Sequence, residues 1–237
     1  FVITGIILSL SVSLAARNNI DEKKNRYFIL IFLYIISFAV VILTDNWFLF
    51  IISWEMVTIT TTLLLVWNGR EPAKKYFIIQ FIGSSILLFT ILVAISRGYT
   101  QVGPIKETWL QNMFVIGLGM KSAIFGLHFW IPFIYIKASP LFCAISSGWV
   151  VKLGFITYLK IILNSNTFLL YLGIIMIIYG GIRALLTSNY KILLGYSTIS
   201  QLGYIAVGIA SGTIYGYFGA VLHIIAHALA KTTLFLN

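Results

Sequence analysis

Ionisable side chains lie inside long apolar stretches of this sequence, where a charge is expensive to bury. A charged group at the centre of a bilayer costs at least about 2.5–3.5 kcal/mol on insertion scales. A desolvated lysine tends to release its proton, a nearby carboxylate draws the proton back, and histidine titrates near neutral pH. A file of such groups joined by water would conduct protons without a cofactor. The candidates for proton transfer are Glu55, Lys121, Lys152, His223, His227 and Lys231.

Glu55 and Lys121 lie near the middle of their apolar stretches. Glu55 is ten residues beyond Asp45, which corresponds to about 15 Å along a helix. It is either a proton carrier or one half of a static ion pair to a neighbouring helix. Lys121 lies in a stretch with several helix-weakening residues, and irregular backbone at membrane depth needs protein or water around it. These weakening residues are Gly117, Gly119, Gly126 and Pro132.

Two further stretches carry a buried lysine or a nearby histidine. Lys152 lies eleven residues from either end of the span 141–163, beside the small polar residues Ser146 and Ser147. Lys160 lies near the end of that span, and we predict that its ammonium reaches the membrane surface. His128 follows Lys121 by seven residues on roughly the same helix face. It is either a packing residue or a further proton carrier.

The last apolar stretch carries three titratable residues on one helix face. His223, His227 and Lys231 are each four residues apart, so a helix aligns them at steps of about 6 Å. This alignment predicts a proton relay, and the alternative is a hydrogen-bonded seam between two helices. Histidines at this spacing can also bind zinc, but neither an intervening glutamate nor a third ligand is present. We therefore predict no metal site.

The composition indicates that these residues belong to a membrane protein. Of 237 residues, 60% are apolar and 9% are charged, and the mean hydropathy is +1.00, whereas soluble domains average about 45–50% apolar and about 25% charged residues. The single cysteine, Cys143, excludes a disulfide framework and a cysteine-based zinc or iron–sulfur site. Stretches of about 20 apolar residues predict nine transmembrane helices in an all-α bundle. They cover about 1–16, 27–44, 46–67, 74–96, 109–131, 141–163, 167–186, 192–210 and 213–236.

The basic residues sort by loop, which predicts the orientation of the chain. Ten lie in every second loop or in the span ends that flank it, only Arg97 and Lys106 lie in the opposite loops, and four lie deeper within spans. This asymmetry places the N-terminus outside and the C-terminus inside the membrane-bounded compartment. It explains most of the net charge of +10, so we predict no nucleic-acid partner. The ten residues are Arg17, Lys23, Lys24, Arg26, Arg70, Lys74, Lys75, Lys137, Arg183 and Lys191.

Five sequence motifs resemble those of one membrane-protein family. The segment WEMVTITTTLLL, which contains Glu55, resembles the helix-five signature of the antiporter-like subunits of respiratory complex I, multisubunit cation/proton antiporters and membrane-bound hydrogenases. KSAIFGLHFWIP and AISSGWVVKLGFITYLK resemble helices seven and eight of that family. NYKILLGYSTISQLGYI and HIIAHALAKTTLFL resemble the two helices that follow helix nine. The resemblance covers nearly all of residues 27–237.

The resemblance implies a fold of two inverted five-helix repeats with broken helices. On this basis we predict an all-α transmembrane bundle with one complete and one incomplete repeat. Residues 1–26 would form a peripheral helix and a basic inside loop, residues 27–163 the first repeat, and residues 164–237 a truncated second repeat. Either the sequence is a fragment, or another chain supplies the missing C-terminal helices.

The resemblance also implies roles for the candidate residues. Glu55 would modulate Lys121, and protons would move laterally toward Lys152 and then to the histidine face. Phe133 and Tyr135 stand where the family has Asp and His, which alters the loop after helix seven. The motifs fit a stand-alone Na⁺/H⁺ antiporter almost as well as a complex I subunit. A scaffolding segment that has lost transport is the third possibility.

The expected activity is proton translocation within the membrane arm of an NADH:quinone oxidoreductase-like complex. No redox motif is present, so this chain is expected to hold no cofactor, and flavin, iron–sulfur clusters and quinone are expected in partner subunits. Its partners would be other membrane-arm subunits and lipid. Either the mitochondrial inner membrane or a prokaryotic plasma membrane fits this composition.

Overall fold

The computed structural model describes residues 1–17 and 24–237, and it describes the side chains of all of these except 13–17, 24 and 25. This part of the chain consists of helices joined by loops. These residues contain no named strand and a single antiparallel bridge, between Asn46 and Gln101. A 3₁₀ turn occupies Val150–Lys152. The α-helices are Val2–Arg17 (α1), Lys24–Leu43 (α2), Trp47–Val66 (α3), Arg70–Ser96 (α4), Thr108–Ser122 (α5), Trp130–Tyr135 (α6), Pro140–Gly148 (α7), Leu153–Ile161 (α8), Thr167–Leu185 (α9), Tyr190–Ala210 (α10) and Ile214–Leu236 (α11).

Among the residues described, seven helices are long and apolar enough to span a membrane, so the nine spans predicted from the sequence are confirmed only in part. In α1, Val2–Val12 forms a shorter apolar segment. The stretch 109–131 is not one helix, because α5 ends at Ser122 and Ala123 adopts a left-handed conformation with φ of 53°. The seven are Arg26–Leu43, Trp47–Val66, Arg70–Ser96, Pro140–Ile161, Thr167–Leu185, Tyr190–Ala210 and Ile214–Leu236.

Large apolar side chains on the periphery of these helices are exposed, as expected for an integral membrane protein. On α4, Phe81, Phe89 and Leu92 are 52%, 60% and 56% exposed. The opposite stripe of the same helix, including Leu87 and Ile91, is buried. A soluble protein seldom leaves contiguous apolar surface of this kind uncovered. The helix therefore presents one side to the bundle and an apolar side to its surroundings.

Polar side chains define where several helices begin. Asn46 accepts hydrogen bonds from the amides of Phe48 and Leu49 at the start of α3, at 2.8 and 3.2 Å. Asn166 caps α9 by accepting from the Leu169 amide at 2.8 Å. Such caps satisfy amides that have no partner within the helix. The capping residues are encoded locally, so the helix starts lie close to the predicted ones.

The two ends of the bundle are tied by contacts between distant loops. At one end, the Val102 amide donates to the Asp45 carbonyl at 2.7 Å, and Lys160 pairs with Asp45 at 3.5 Å. Lys160 is 27% exposed there, as predicted for an ammonium that reaches the surface. At the other end, Lys191 donates to the Ala138 carbonyl at 2.7 Å. The basic loop residues Arg17, Lys23 and Lys24 lie outside the described side chains.

Glycines allow α9 and α10 to pack backbone against backbone. A β-carbon on Gly203 would lie 2.6 Å from the Gly173 carbonyl oxygen and 2.8 Å from the Ile177 amide nitrogen. A β-carbon on Gly180 would lie 2.5 Å from the Ser200 amide nitrogen. Small residues at such positions let membrane helices approach closely. This contact fixes α10, which supplies acceptors to the candidate site.

Replacing Gly203 with alanine is expected to destabilise the protein, because rigid backbone atoms surround the new methyl group. Overpacking of this kind typically costs about 1–3 kcal/mol. The effect is measured by heating the protein in detergent and recording the fraction that stays in solution at each temperature. Gly219→Ala on α11 is the matched control, because no atom lies within 4 Å of its new methyl group. Equal unfolding midpoints for the two variants would show that the α9–α10 contact is not as tight as described.

Candidate functional site

Lys121 is buried at the end of α5 and held by acceptors from α3. Its ammonium donates to the Trp54 carbonyl at 2.8 Å and to the Thr58 hydroxyl at 2.9 Å. It also lies 4.2 Å from the centre of the Trp54 ring, a cation–π contact. Only 1% of Lys121 is exposed. Because α5 ends one residue later, its last carbonyl groups also favour a cation here.

Glu55 lies beside this site without forming an ion pair with Lys121. Among the described residues, Lys160–Asp45 is the ion pair within 4.0 Å. Glu55 is partly exposed, and its carboxylate acts on Lys121 only through space. The lysine is bound instead by the carbonyl of the residue before Glu55 and by a hydroxyl one turn beyond. The ammonium is thus held by neutral acceptors.

Lys152 lies at a break between two short helices. The 3₁₀ turn Val150–Lys152 separates α7 from α8, and Trp149 has a non-helical φ of −134°. The Lys152 ammonium donates to the Ser147 carbonyl. Irregular backbone leaves carbonyl groups without intrahelical partners, so the lysine satisfies one of them. Lys152 is completely buried.

The α11 residues form a second polar group with Lys152. The Lys231 ammonium donates to the Leu194 carbonyl at 3.1 Å and to the Ser197 hydroxyl at 2.5 Å, both on α10. The ring centres of His223 and His227 are 6.1 Å apart, the spacing of one helical turn. Lys152 interacts electrostatically with Lys231 and with both histidines. The structure therefore brings four of the six candidate residues together.

His227 has no hydrogen-bond partner for either ring nitrogen among the described residues, although only 6% of it is exposed. The Nε2 atom of His223 is also unpartnered. A buried polar group without a partner is costly, and water is the usual partner in such a site. These nitrogens are therefore free to accept or donate a proton through water.

The Lys121 group and the Lys152 group are neighbours across the α5–α8 contact. The Tyr158 hydroxyl on α8 donates to the Val115 carbonyl on α5 at 2.9 Å. A β-carbon on Gly154 would lie 1.7 Å from the Ser122 hydroxyl, so the helix after Lys152 touches the residue after Lys121. No direct hydrogen bond joins the two lysines in the described part of the chain. Transfer between them would require water or side-chain movement.

Buried hydroxyl groups hydrogen-bond one another close to Lys152, and the partners Thr198 and Tyr135 were not predicted from the sequence. The Ser147 and Thr198 hydroxyls hydrogen-bond at 2.8 Å between α7 and α10. The Tyr135 hydroxyl donates to Ser146 at 3.1 Å. Ser146 and Ser147 stood out only as small neighbours of Lys152 in the sequence. Serine, threonine or tyrosine residues that recur inside an apolar stretch are the sequence signal that could have identified these hydroxyl groups.

His128 takes a packing position in the structure. Its ring lies 4.9 Å from the Tyr179 ring and 5.4 Å from the Phe125 ring, measured between centres. Its Nδ1 accepts from the Gly126 amide at 3.2 Å. His128 thus braces the segment between α5 and α6 against α9. This geometry favours the packing role over proton transfer.

Known proteins resemble the chain over most of its length. A profile of the family described as NADH:quinone oxidoreductase/Mrp antiporter, TM, matches residues 44–237. NAD(P)H-quinone oxidoreductase chain 4-2 of Synechocystis sp. is 29% identical over 257 residues, covering 98% of this chain and 45% of the relative. An antiporter subunit of Staphylococcus aureus is 28% identical over 271 residues, covering 98% of this chain and 34% of the relative. The chain thus spans less than half the length of these relatives.

Solved structures share the fold. The membrane-bound sulfane sulfur reductase, an archaeal respiratory membrane complex, gives a TM-score of 0.85 at 24% identity, over 99% of this chain and 43% of the matched chain. Respiratory complex I from Thermus thermophilus gives 0.81 at 22% identity, over 96% and 55%. The Mrp complex from Dietzia sp. gives 0.81 at 23% identity, over 99% and 28%. The helix arrangement is therefore shared with one chain of each of these three complexes.

Proposed function

Because the chain belongs to the NADH:quinone oxidoreductase/Mrp antiporter transmembrane family, we propose that it translocates protons in the membrane arm of an NADH:quinone oxidoreductase-like complex. The observation that carries this proposal is the set of buried ionisable groups, with Lys121 and Lys152 at helix breaks and His227 and Lys231 within α11. Lys121 and Lys152 are 1% and 0% exposed. Ionisable groups inside membrane helices are costly and typically serve ion pathways. The chain itself would be a non-redox subunit.

Proton transfer in this proposal starts at Lys121. Neutral acceptors compensate the Lys121 ammonium only partly, so a move of the Glu55 carboxylate toward it would help to hold the proton. A move away would favour release of the proton into water at the end of α5. Lys152 would receive the proton next, and its electrostatic interaction with Lys231 and His227 couples it to the α11 face.

The remaining parts of the proposal concern the rest of the complex. Flavin, iron–sulfur clusters and quinone would be held by partner subunits, and this chain would hold none of them. Its partners would be other membrane-arm subunits and lipid. Residues 27–163 would form one inverted repeat and residues 164–237 part of the second, after a peripheral segment at 1–26.

Sodium/proton antiport is the second candidate function. It is supported by the antiporter subunit of Staphylococcus aureus, whose identity of 28% is close to the 29% of the quinone oxidoreductase relative. The chains that co-purify with this protein separate the two candidates. Flavin and iron–sulfur proteins would support the first, whereas small membrane subunits alone would support the second. A scaffolding role predicts that no substitution at the buried lysines changes transport.

Replacing Glu55 with glutamine tests the role of its carboxylate. We expect proton translocation to slow by about tenfold, the change that corresponds to about 1.4 kcal/mol of lost electrostatic stabilisation. The complex is reconstituted into liposomes, and proton uptake is followed with a pH-sensitive dye. Glu71→Gln is the matched control, because Glu71 is exposed in the first turn of α4. Native rates for both variants would argue against any role for Glu55.

A further inference from the structure

Gln80 on α4 is a buried side chain that the fold leaves without partners. Only 1% of it is exposed, and neither its Oε1 nor its Nε2 atom has a hydrogen-bond partner among the described residues. Ser84 follows one turn later and is 3% exposed, with an unpartnered hydroxyl. Leaving such groups unpaired costs the full desolvation penalty of each. The two amide atoms of Gln80 and the hydroxyl of Ser84, one helical turn apart, therefore indicate a small polar ligand.

Another buried glutamine in the chain shows that the fold can satisfy this side chain. Gln111 on α5 is also 1% exposed. Its Nε2 donates to the Ile105 carbonyl at 2.7 Å, and its Oε1 accepts from Asn166 at 3.1 Å. Gln111 therefore ties α5 to the start of α9. Gln80 has the same burial without any such structural role.

The helix contacts place Gln80 and Ser84 beside the end of α5. A β-carbon on Gly83 would lie 2.4 Å from the Met120 β-carbon, and one on Gly117 would lie 2.9 Å from the Leu87 α-carbon. The two helices therefore run antiparallel, and the segment around Gly83 lies opposite Met120 and Lys121. Gln80 and Ser84 flank Gly83 on the buried stripe of α4.

The contacts of α3 show that the space between α3, α4 and α5 lies beside Lys121. One turn before Gln80, the Tyr76 hydroxyl hydrogen-bonds Thr61 on α3 at 3.3 Å. One turn before Thr61, the Thr58 hydroxyl accepts from Lys121. The ammonium of Lys121 has three N–H donors, and two have acceptors in α3. The third N–H of Lys121 is left for a ligand in the space between α3, α4 and α5.

We propose that Gln80 and Ser84 bind ordered water beside Lys121 and position it for proton exchange with that lysine. An amide carries its acceptor and its donors on two separate atoms, so it can hold a water molecule at two fixed points, whereas a hydroxyl carries both functions on one rotatable oxygen. Ordered water commonly satisfies buried polar groups that lack protein partners. Gln80 itself does not titrate, so it acts as a positioning residue. The transport part of this inference rests on the proposed function.

The matched glutamines allow a sharp test in the intact complex. Methionine keeps the size of glutamine and removes the amide. Gln80→Met is expected to slow proton uptake into liposomes by about tenfold while the thermal midpoint stays equal or rises. Gln111→Met is expected to lower the midpoint and to leave the transport rate per assembled complex unchanged. Native transport in Gln80→Met would overturn the positioning role.

Two further measurements keep the inference testable if Gln80→Met assembles poorly. Ser84→Ala makes a smaller change and should slow proton uptake. Gln80→Asn keeps the amide, so its rate of proton uptake is expected to exceed that of Gln80→Met. A high-resolution structure of the native complex should show water within hydrogen-bonding distance of Gln80, and a dry Gln80 would overturn the site. If Lys121→Met transports normally while Gln80 is hydrated, the proposed function fails and the water site stands.

Discussion

Replacing Lys121 with methionine is expected to reduce proton translocation by about a hundredfold, because a positioned proton carrier contributes on the order of 10²–10⁴-fold. Methionine fills the space of the lysine stem and cannot carry a proton. The Trp54 carbonyl and the Thr58 hydroxyl would lose their donor. Proton uptake by liposomes that contain the intact complex measures the rate, and immunoblotting of the assembled complex normalises it.

Lys160→Met is the matched control for this experiment. Lys160 is also a lysine at a helix end, but it is 27% exposed and pairs with Asp45 at 3.5 Å. Surface ion pairs contribute little to stability, and Lys160 lies away from both buried groups. Its loss is expected to change the transport rate less than twofold, which corresponds to a barrier change below about 0.4 kcal/mol. A native rate for Lys121→Met would exclude a proton path through Lys121.

Replacing Lys152 with methionine is expected to slow transport strongly without weakening the fold. Lys152 is completely buried, with the Ser147 carbonyl as its acceptor and with Lys231 acting on it as a like charge. Replacing a buried charge with an apolar side chain of similar size is often neutral or stabilising. We therefore expect an unchanged or higher thermal midpoint, together with a transport rate lower by about a hundredfold.

The opposite directions of these two effects distinguish a functional lysine from a structural one. Lys137→Met serves as the control, since Lys137 is exposed beside the Phe133 ring. If Lys152→Met lowered the thermal midpoint and left transport per complex unchanged, Lys152 would only stabilise the helix break and would not carry protons. The same pair of measurements applied to Lys231 would test the α11 face.

Local sequence features were sufficient to place the helices and the charged residues within them. Apolar stretches and capping residues such as Asn46 and Asn166 act within a few positions, so their effect can be read without the fold. Seven of the nine predicted spans correspond to candidate membrane helices among the described residues, and the stretch 109–131 does not form one helix because α5 ends at Ser122. The glycines near Lys121 indicated a weak helix, but the left-handed turn at Ala123 could be located only in the structure.

Features that depend on packing could not be predicted. The 3₁₀ turn at Lys152 lies in a stretch without proline, and the flanking Gly148 and Gly154 did not by themselves locate it, so it was found only in the structure. Gln80 was overlooked for a similar reason. A glutamine in an apolar run looks like any other polar residue until its burial and its lack of partners are known.

The sequence by itself determined the class of the protein, the helical spacing of its titratable residues and the family motifs, because hydropathy, charge and helical spacing are local properties. Only the tertiary structure decided which atoms hold each charge. Lys121 donates to Thr58, 63 residues away, rather than to Glu55, and Lys231 donates to Ser197, 34 residues away. Hydrogen bonds in a helical bundle join different helices, and the packing of those helices sets which acceptors come within about 3 Å.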